Sequence, residues 1–154
     1  MSLCRLVYKS KTSWDVINNE VLRRLAEKST LNNMANDITG LLVLSDETFL
    51  QVLEGPDHAV NGLYAKILAN EMHHDVTLLG YEQAARRSFD HWSMRVVDLN
   101  DLAMSPRELF RKKYQDREGY IEVPDDVLGA LSLLFDAQAL CLAEACEQLV
   151  SFRA

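Results

Sequence analysis

Residues 38–54, ITGLLVLSDETFLQVLE, read as two apolar runs hinged on the turn-forming triplet Ser45-Asp46-Glu47. The first run, 38–44, is almost continuously apolar, and the second, 49–54, returns after the turn, so the pair is predicted to form a β-hairpin. Side chains alternate along a strand, which places Phe49, Gln51 and Leu53 on one face. A polar amide is thus lodged in an apolar row. Leaving such an amide buried and unpaired costs roughly 1–3 kcal/mol, so Gln51 must have hydrogen-bond partners.

Outward from the hairpin, residues 3–9 alternate and predict a first strand, on which Tyr8 shares a face with Cys4 and Leu6. Thr12 or Ser13 is placed to cap a helix whose apolar positions are Trp14, Ile17, Val21, Leu22 and Leu25. Leu31-Asn32-Asn33 and Asn36-Asp37 read as a polar loop before the hairpin. After it, Gly55-Pro56 sets proline where a second helix begins, with Val60, Leu63, Tyr64, Ile67 and Leu68 as its buried stripe. Residues 76–85 and 92–97 predict two more strands. The order is β-α-β-β-α-β plus one strand. It is an α+β, ferredoxin-like arrangement with two helices on one face of the sheet and the first and third strands as central neighbours. Tyr8 can then reach Gln51.

Past Asn100 the character changes. Ser105-Pro106 opens a short polar helix over about 106–117, which Gly119 ends. Pro124-Asp125-Asp126 opens a longer helix running to about Phe152. Its apolar residues Val127, Leu128, Leu131, Leu134, Phe135, Leu142 and Leu149 cover more than one narrow stripe. Such a helix needs two surfaces to pack on, the open sheet face and a second protein.

The composition is that of an ordinary globular chain, with 48% hydrophobic and 25% charged residues. A net charge of −7 disfavours gripping a nucleic-acid backbone. Arg86-Arg87 and Arg111-Lys112-Lys113 read as solvated surface. The apolar stretches read as shorter than a bilayer span, and the N-terminus has no signal-peptide pattern, so a cytoplasmic protein is expected. Cys4, Cys141 and Cys146 match no metal-ligand spacing and are expected to be reduced thiols, while His58, His73, His74 and His91 form no metal-binding pair.

The residues that could carry chemistry are few. Tyr8 and Gln51 could be a structural bond inside an ordinary core, and Asn32-Asn33 an ordinary loop signature. Taken together they suit a planar heterocycle between the two helices, since each amide offers donor and acceptor at once. No P-loop or GxGxxG fingerprint is present.

Five segments, RLVYKS with Tyr8, NNMANDITGLLV with Asn32 and Asn33, FLQVLEG with Gln51, HHDV, and FDHWSM with Trp92 and Met94, closely resemble the BLUF family of blue-light sensors using flavin. The resemblance implies a photoreceptor that is not an enzyme, holding FAD or FMN non-covalently between the two helices. It implies that Tyr8 gives an electron and then a proton to the excited ring, and that Gln51 bridges the two and changes its hydrogen bonding. By the same likeness Asn32 and Asn33 bind the polar edge of the ring and Leu25 packs on it. Trp92 and Met94 share a strand face by alternation, and in the family either one occupies the pocket beside the glutamine. The family's ribityl and phosphate contacts fall on Lys66 and Asn70; lysine keeps the charge of the usual arginine but lacks its bidentate fork. Residues 1–100 would be the flavin-binding domain and 101–154 a helical extension, as in short family members that signal to a separate partner protein. Homo-oligomerisation is expected. The alternative is a light-independent flavin-binding or interaction module on the same fold.

Overall fold

A computed structural model describes residues 2–114 and 116–153, with the side chains of 116–117 and 145–153 outside that description. Strand β1 (Leu3–Lys11) is followed by helix α1 (Asn19–Ala35), strands β2 (Thr39–Ser45) and β3 (Thr48–Pro56), and helix α2 (Asp57–Ala69). Strands β4 (His74–Gln83) and β5 (Arg95–Asp98) complete the sheet. A 3-10 turn at Leu99–Asp101, helix α3 (Met104–Tyr114), a small hairpin of β6 (Asp116–Arg117) and β7 (Tyr120–Ile121), and helix α4 (Val127–Arg153) follow.

The sheet order is β4-β1-β3-β2-β5, with β1 and β3 central and antiparallel. The hairpin is as tight as its sequence indicated: Ser45 pairs with Thr48, and Asp46 takes a positive φ of 51° in the turn. Gly40 lets β3 approach closely, because a Cβ there would stand 2.2 Å from the Val52 carbonyl oxygen. Alternation along the central strands builds two cores. Cys4, Leu6, Tyr8, Leu42, Leu44, Phe49 and Leu53 face α1 and α2. Val7, Leu41, Val43, Leu50 and Val52 face the opposite way, against Ala130, Leu133, Leu134, Ala137 and Cys141 of α4. The fold is the expected ferredoxin-like one, with α4 covering the second face.

Several boundaries differ from expectation. Helix α1 starts at Asn19 because Asn18, in extended conformation, caps it by accepting from the Val21 amide at 2.9 Å. Ser13 closes only a local turn, its carbonyl accepting from the Val16 and Ile17 amides, and Trp14 is left 46% exposed outside the helix. Asn32 and Asn33 are helical, not loop: α1 runs on to Ala35, where Asn36 Nδ2 donates to the Asn32 carbonyl and Asp37 turns the chain at φ 56°. Residues 92–94 precede β5, which begins at Arg95. Gly119 ends no helix; it sits at φ +88° in the turn between β6 and β7.

Arg87 is not simply solvated. Its guanidinium donates to Thr39 Oγ1 and to the Glu54 and Asp37 carbonyls. Helix α4 is also longer in apolar character than expected: Val127–Glu144 is long and apolar enough to cross a membrane by length and composition, with a mean hydropathy of 1.5. Its Ala130, Leu133, Leu134, Ala137 and Cys141 are spent on the sheet. Cys4 and Cys141 are free and buried. The side chains of Cys146, Leu149 and Phe152 lie outside the described residues.

Candidate functional site

Because β1 and β3 run antiparallel with Tyr8 opposite Gln51, the two side chains rise side by side from the sheet beneath α1 and α2. The Tyr8 hydroxyl donates to Gln51 Oε1. This fixes the amide's orientation, and Gln51 Nε2 faces Met94 Sδ at 3.6 Å. Tyr8 is wholly buried and Gln51 nearly so. Burial pushes the Tyr8 phenol well above its usual range, so it stays protonated in the resting site. Tyr64 of α2 leans over it, with ring centroids 5.6 Å apart.

Asn33, in the last turn and a half of α1, supplies the second amide. Its Nδ2 donates to the Ser93 carbonyl at 2.8 Å, which ties the helix to the segment carrying Met94. Thr30 adds a second tie, its hydroxyl donating to the Ala26 carbonyl at 2.7 Å and reaching the Met94 carbonyl at 3.4 Å. Asn33 Oδ1 is buried without a partner. An orphan acceptor of this kind is costly unless a ligand donor meets it, and a flavin ring N–H between two carbonyls has the required chemistry. The residues therefore fit a flavin ring edge.

The other candidate residues divide. Leu25 is half-buried against the same core. Asn32 is half-buried one position away from Asn33, with its carbonyl taken by Asn36. Lys66 and Asn70 are both exposed at the far end of α2, and Asn70 Oδ1 accepts from the Met72 amide at 2.9 Å. Trp92 and Met94 do not share a face. Met94 joins the core under the helices, whereas Trp92 packs against the α4 core with Arg95 over its ring at 5.6 Å. The reason is the irregular chain before β5, which removes the strand alternation on which the shared face depended.

Some residues around the site carried no clear sequence signal. Ser93 acts through its carbonyl, which any residue would supply. His73 turns inward beside Tyr8 and Phe49 and bonds Ser10, while His74 next to it is exposed. Only the HHDV segment marked the place. Below the site, on the opposite sheet face, the fully buried Glu54 accepts from Arg5 and from the Ser88 and Phe89 amides, anchoring the segment that leads to Met94.

Comparison with known proteins places these features in context. The family described as BLUF, sensors of blue-light using FAD, matches residues 3–95. Over 106 residues the chain is 31% identical to a photoactivated adenylate cyclase subunit beta of Euglena longa, covering 68% of this chain and 12% of that protein. It is 29% identical over 100 residues to the blue light- and temperature-regulated antirepressor BluF of Escherichia coli, covering 63% of this chain and 24% of that one. Among solved structures, a bacterial light-regulated adenylyl cyclase is similar with a TM-score of 0.67 and 32% identity, over 71% of this chain and 32% of that chain. Klebsiella pneumoniae BlrP1 with FMN and cyclic diGMP gives a TM-score of 0.64 and 27% identity, over 89% of this chain and 35% of that chain.

Proposed function

The chain belongs to the BLUF family of blue-light sensors using FAD, and from that premise we propose that Tyr8, Gln51, Asn33 and Met94 form the light-responsive edge of its flavin site. The chain is a blue-light photoreceptor of that family, with flavin as its non-covalent chromophore. A bound flavin would supply a ring that absorbs blue light and, once excited, is a one-electron oxidant and proton acceptor.

Everything else is done by the chain. Tyr8 is an oxidisable phenol whose proton becomes strongly acidic once an electron leaves. Its hydroxyl already points at Gln51, so the proton has a defined exit. Gln51 relays it, since its amide accepts at Oε1 and donates at Nε2, and then settles in a different hydrogen-bonding state. Asn33 holds the polar edge of the ring through its free Oδ1, with Asn32 beside it. Leu25 would pack on the ring, and Lys66 of α2 with Asn70, just past its end, would hold the ribityl and phosphate part. Met94 lies beside the glutamine and Trp92 outside the pocket. A stronger bond from the rearranged amide to a carbonyl of the bound ring would lower the transition energy, giving a small red shift without lasting redox change.

The observation that carries this reading is the buried Tyr8–Gln51 bond beside an unpaired Asn33 acceptor. Because the chain covers only 12% of the Euglena longa cyclase subunit's length, output is a separate matter. We read the chain itself as a non-enzymatic sensor, residues 1–100 binding flavin and 101–154 conveying the signal to a partner protein or a second copy.

The purified chain is expected to be yellow and to show a reversible red shift under blue light. Tyr8→Phe and Gln51→Leu should keep the flavin and lose the shift. A colourless wild type, or a normal photocycle in either variant, overturns the proposal.

A further inference from the structure

We propose that His73 is a positioning residue for the photochemistry: its imidazole, bonded to Ser10 and wedged beside Tyr8 and Phe49, keeps the surroundings of the Tyr8 phenol free of positive charge. This rests on the photosensor reading of Tyr8 and Gln51.

His73 is the last residue of the segment between α2 and β4. Its backbone amide donates to the Asn70 carbonyl at 3.1 Å, which fixes where the ring enters the core. Ser10, itself buried, bonds His73 Nδ1 at 2.8 Å. The imidazole then meets Tyr8 edge-on, with centroids 6.2 Å apart and planes at 73°, and lies 5.2 Å from the Phe49 ring. Three contacts from β1 and β3 thus lock a titratable ring against the group that is to be oxidised. Burial draws the imidazole pKa down to about 4, so it is uncharged at neutral pH.

Among the described residues, the bonds and ring contacts of His73 are to Ser10, the Asn70 carbonyl, Tyr8 and Phe49, none of them a charged group. On the elements around it, Lys11 of β1 is exposed and spends its ammonium on Thr48 Oγ1 at 3.0 Å, and Lys66 of α2 is exposed. In the adjoining chain Glu71, His74 and Asp75 are exposed as well. The titratable neighbours inside the core are Tyr8 and Tyr64, both with phenol pKa raised by burial.

The consequence follows from charge. Tyr8 gives up one electron and its hydroxyl proton to the excited flavin and receives both back on recombination, so no further oxidant enters. A cation at the 6.2 Å separation of the two rings opposes that electron loss, by roughly a hundredfold in equilibrium terms at an effective protein dielectric of about 20. A histidine of ordinary pKa, near 6.5, would carry that charge for part of the time in mildly acidic cells. His73, held where it is, does not.

The test compares His73→Gln, which can keep a bond to Ser10 and remains neutral, with His73→Lys, which brings a cation to the same place. Flavin loading, read from visible absorbance, reports folding. At pH 6 His73→Gln should retain the wild-type quantum yield of the red shift, and His73→Lys should lose it by roughly threefold or more, recovering as pH rises and the lysine deprotonates. Nuclear magnetic resonance titration of the imidazole in flavin-free chain gives a second readout that needs neither photochemistry nor the lysine variant: His73 should stay neutral from pH 8 to pH 5. An imidazole titrating near 6.5, a loaded His73→Lys with wild-type yield at every pH, or equal losses in both variants overturns the inference. A wild type without any red shift would instead defeat the photosensor reading on which it rests.

Discussion

Gln51 shows how much one side chain's surroundings decide. The same amide in an ordinary core would satisfy itself and stop; here Oε1 accepts from Tyr8 while Nε2, among the described residues, has only a long contact to the weak acceptor Met94 Sδ, at 3.6 Å. A partner that weak leaves the amide little to lose on reorienting. Trp92, three residues from Phe89 and two from Met94, is by chemistry alone a competing electron donor, since indoles are oxidisable. Its position beyond the sheet, in the core shared with α4, separates it from Tyr8 and Gln51. Trp92→Phe is accordingly expected to leave the size and quantum yield of the red shift unchanged in difference spectroscopy. A loss of yield comparable with that of Tyr8→Phe would put Trp92 in the electron-transfer path.

At the scale of elements, α4 carries two jobs on one helix. Ala130, Leu133, Leu134, Ala137 and Cys141 recur at helical spacing and are buried on the sheet, whereas Leu128 is 77% exposed. Leu133→Ala deletes a fully buried side chain and is expected to destabilise the fold by about 2–5 kcal/mol. Leu128→Ala should change stability by no more than about 0.5 kcal/mol. Urea denaturation of the two variants measures the contrast directly, and similar costs would mean that the exposed side of α4 is covered in solution. Phe135 stands between the two roles, 44% exposed yet stacked on Phe89 with centroids 4.7 Å apart. Gln138 bonds the Ser88 carbonyl at 3.2 Å, so α4 grips the segment that carries Met94 as well as the sheet.

For the whole molecule, the proposed division into a flavin-binding unit, 1–100, and a helical extension, 101–154, is one of role. The extension's side chains complete a core with Val7, Leu41, Val43, Leu50 and Val52. Ending the chain after Asn100 would bare that face, and a contiguous apolar surface of this kind promotes association. The shortened chain is expected to aggregate or melt at a markedly lower temperature, as read by size-exclusion chromatography and thermal unfolding. A monodisperse shortened chain with an unchanged melting temperature would show that the extension is no part of the stabilising core.

Much of this was legible from residues alone. Period-two alternation in β1 and β3 placed Tyr8 and Gln51 on the buried face, and the turn residues Ser45-Asp46-Glu47 marked the β2–β3 hairpin, while the ferredoxin-like order made β1 and β3 neighbours. These are local rules, and they held because sequence spacing and spatial spacing coincide within a strand. Where the chain leaves regular structure that equivalence ends. Whether Asn33 was loop or helix turned on a cap at Asn36, and which of Trp92 and Met94 reached Gln51 turned on an irregular segment anchored from the other sheet face by Glu54. The inward turn of His73 rather than His74 was settled by Ser10 and the ring of Phe49, contributed by strands far away in sequence. Sequence determined the sheet, its faces and the central pair; tertiary contacts decided which side chains beyond them enter the site, because those positions are fixed by long-range hydrogen bonds that no local period encodes.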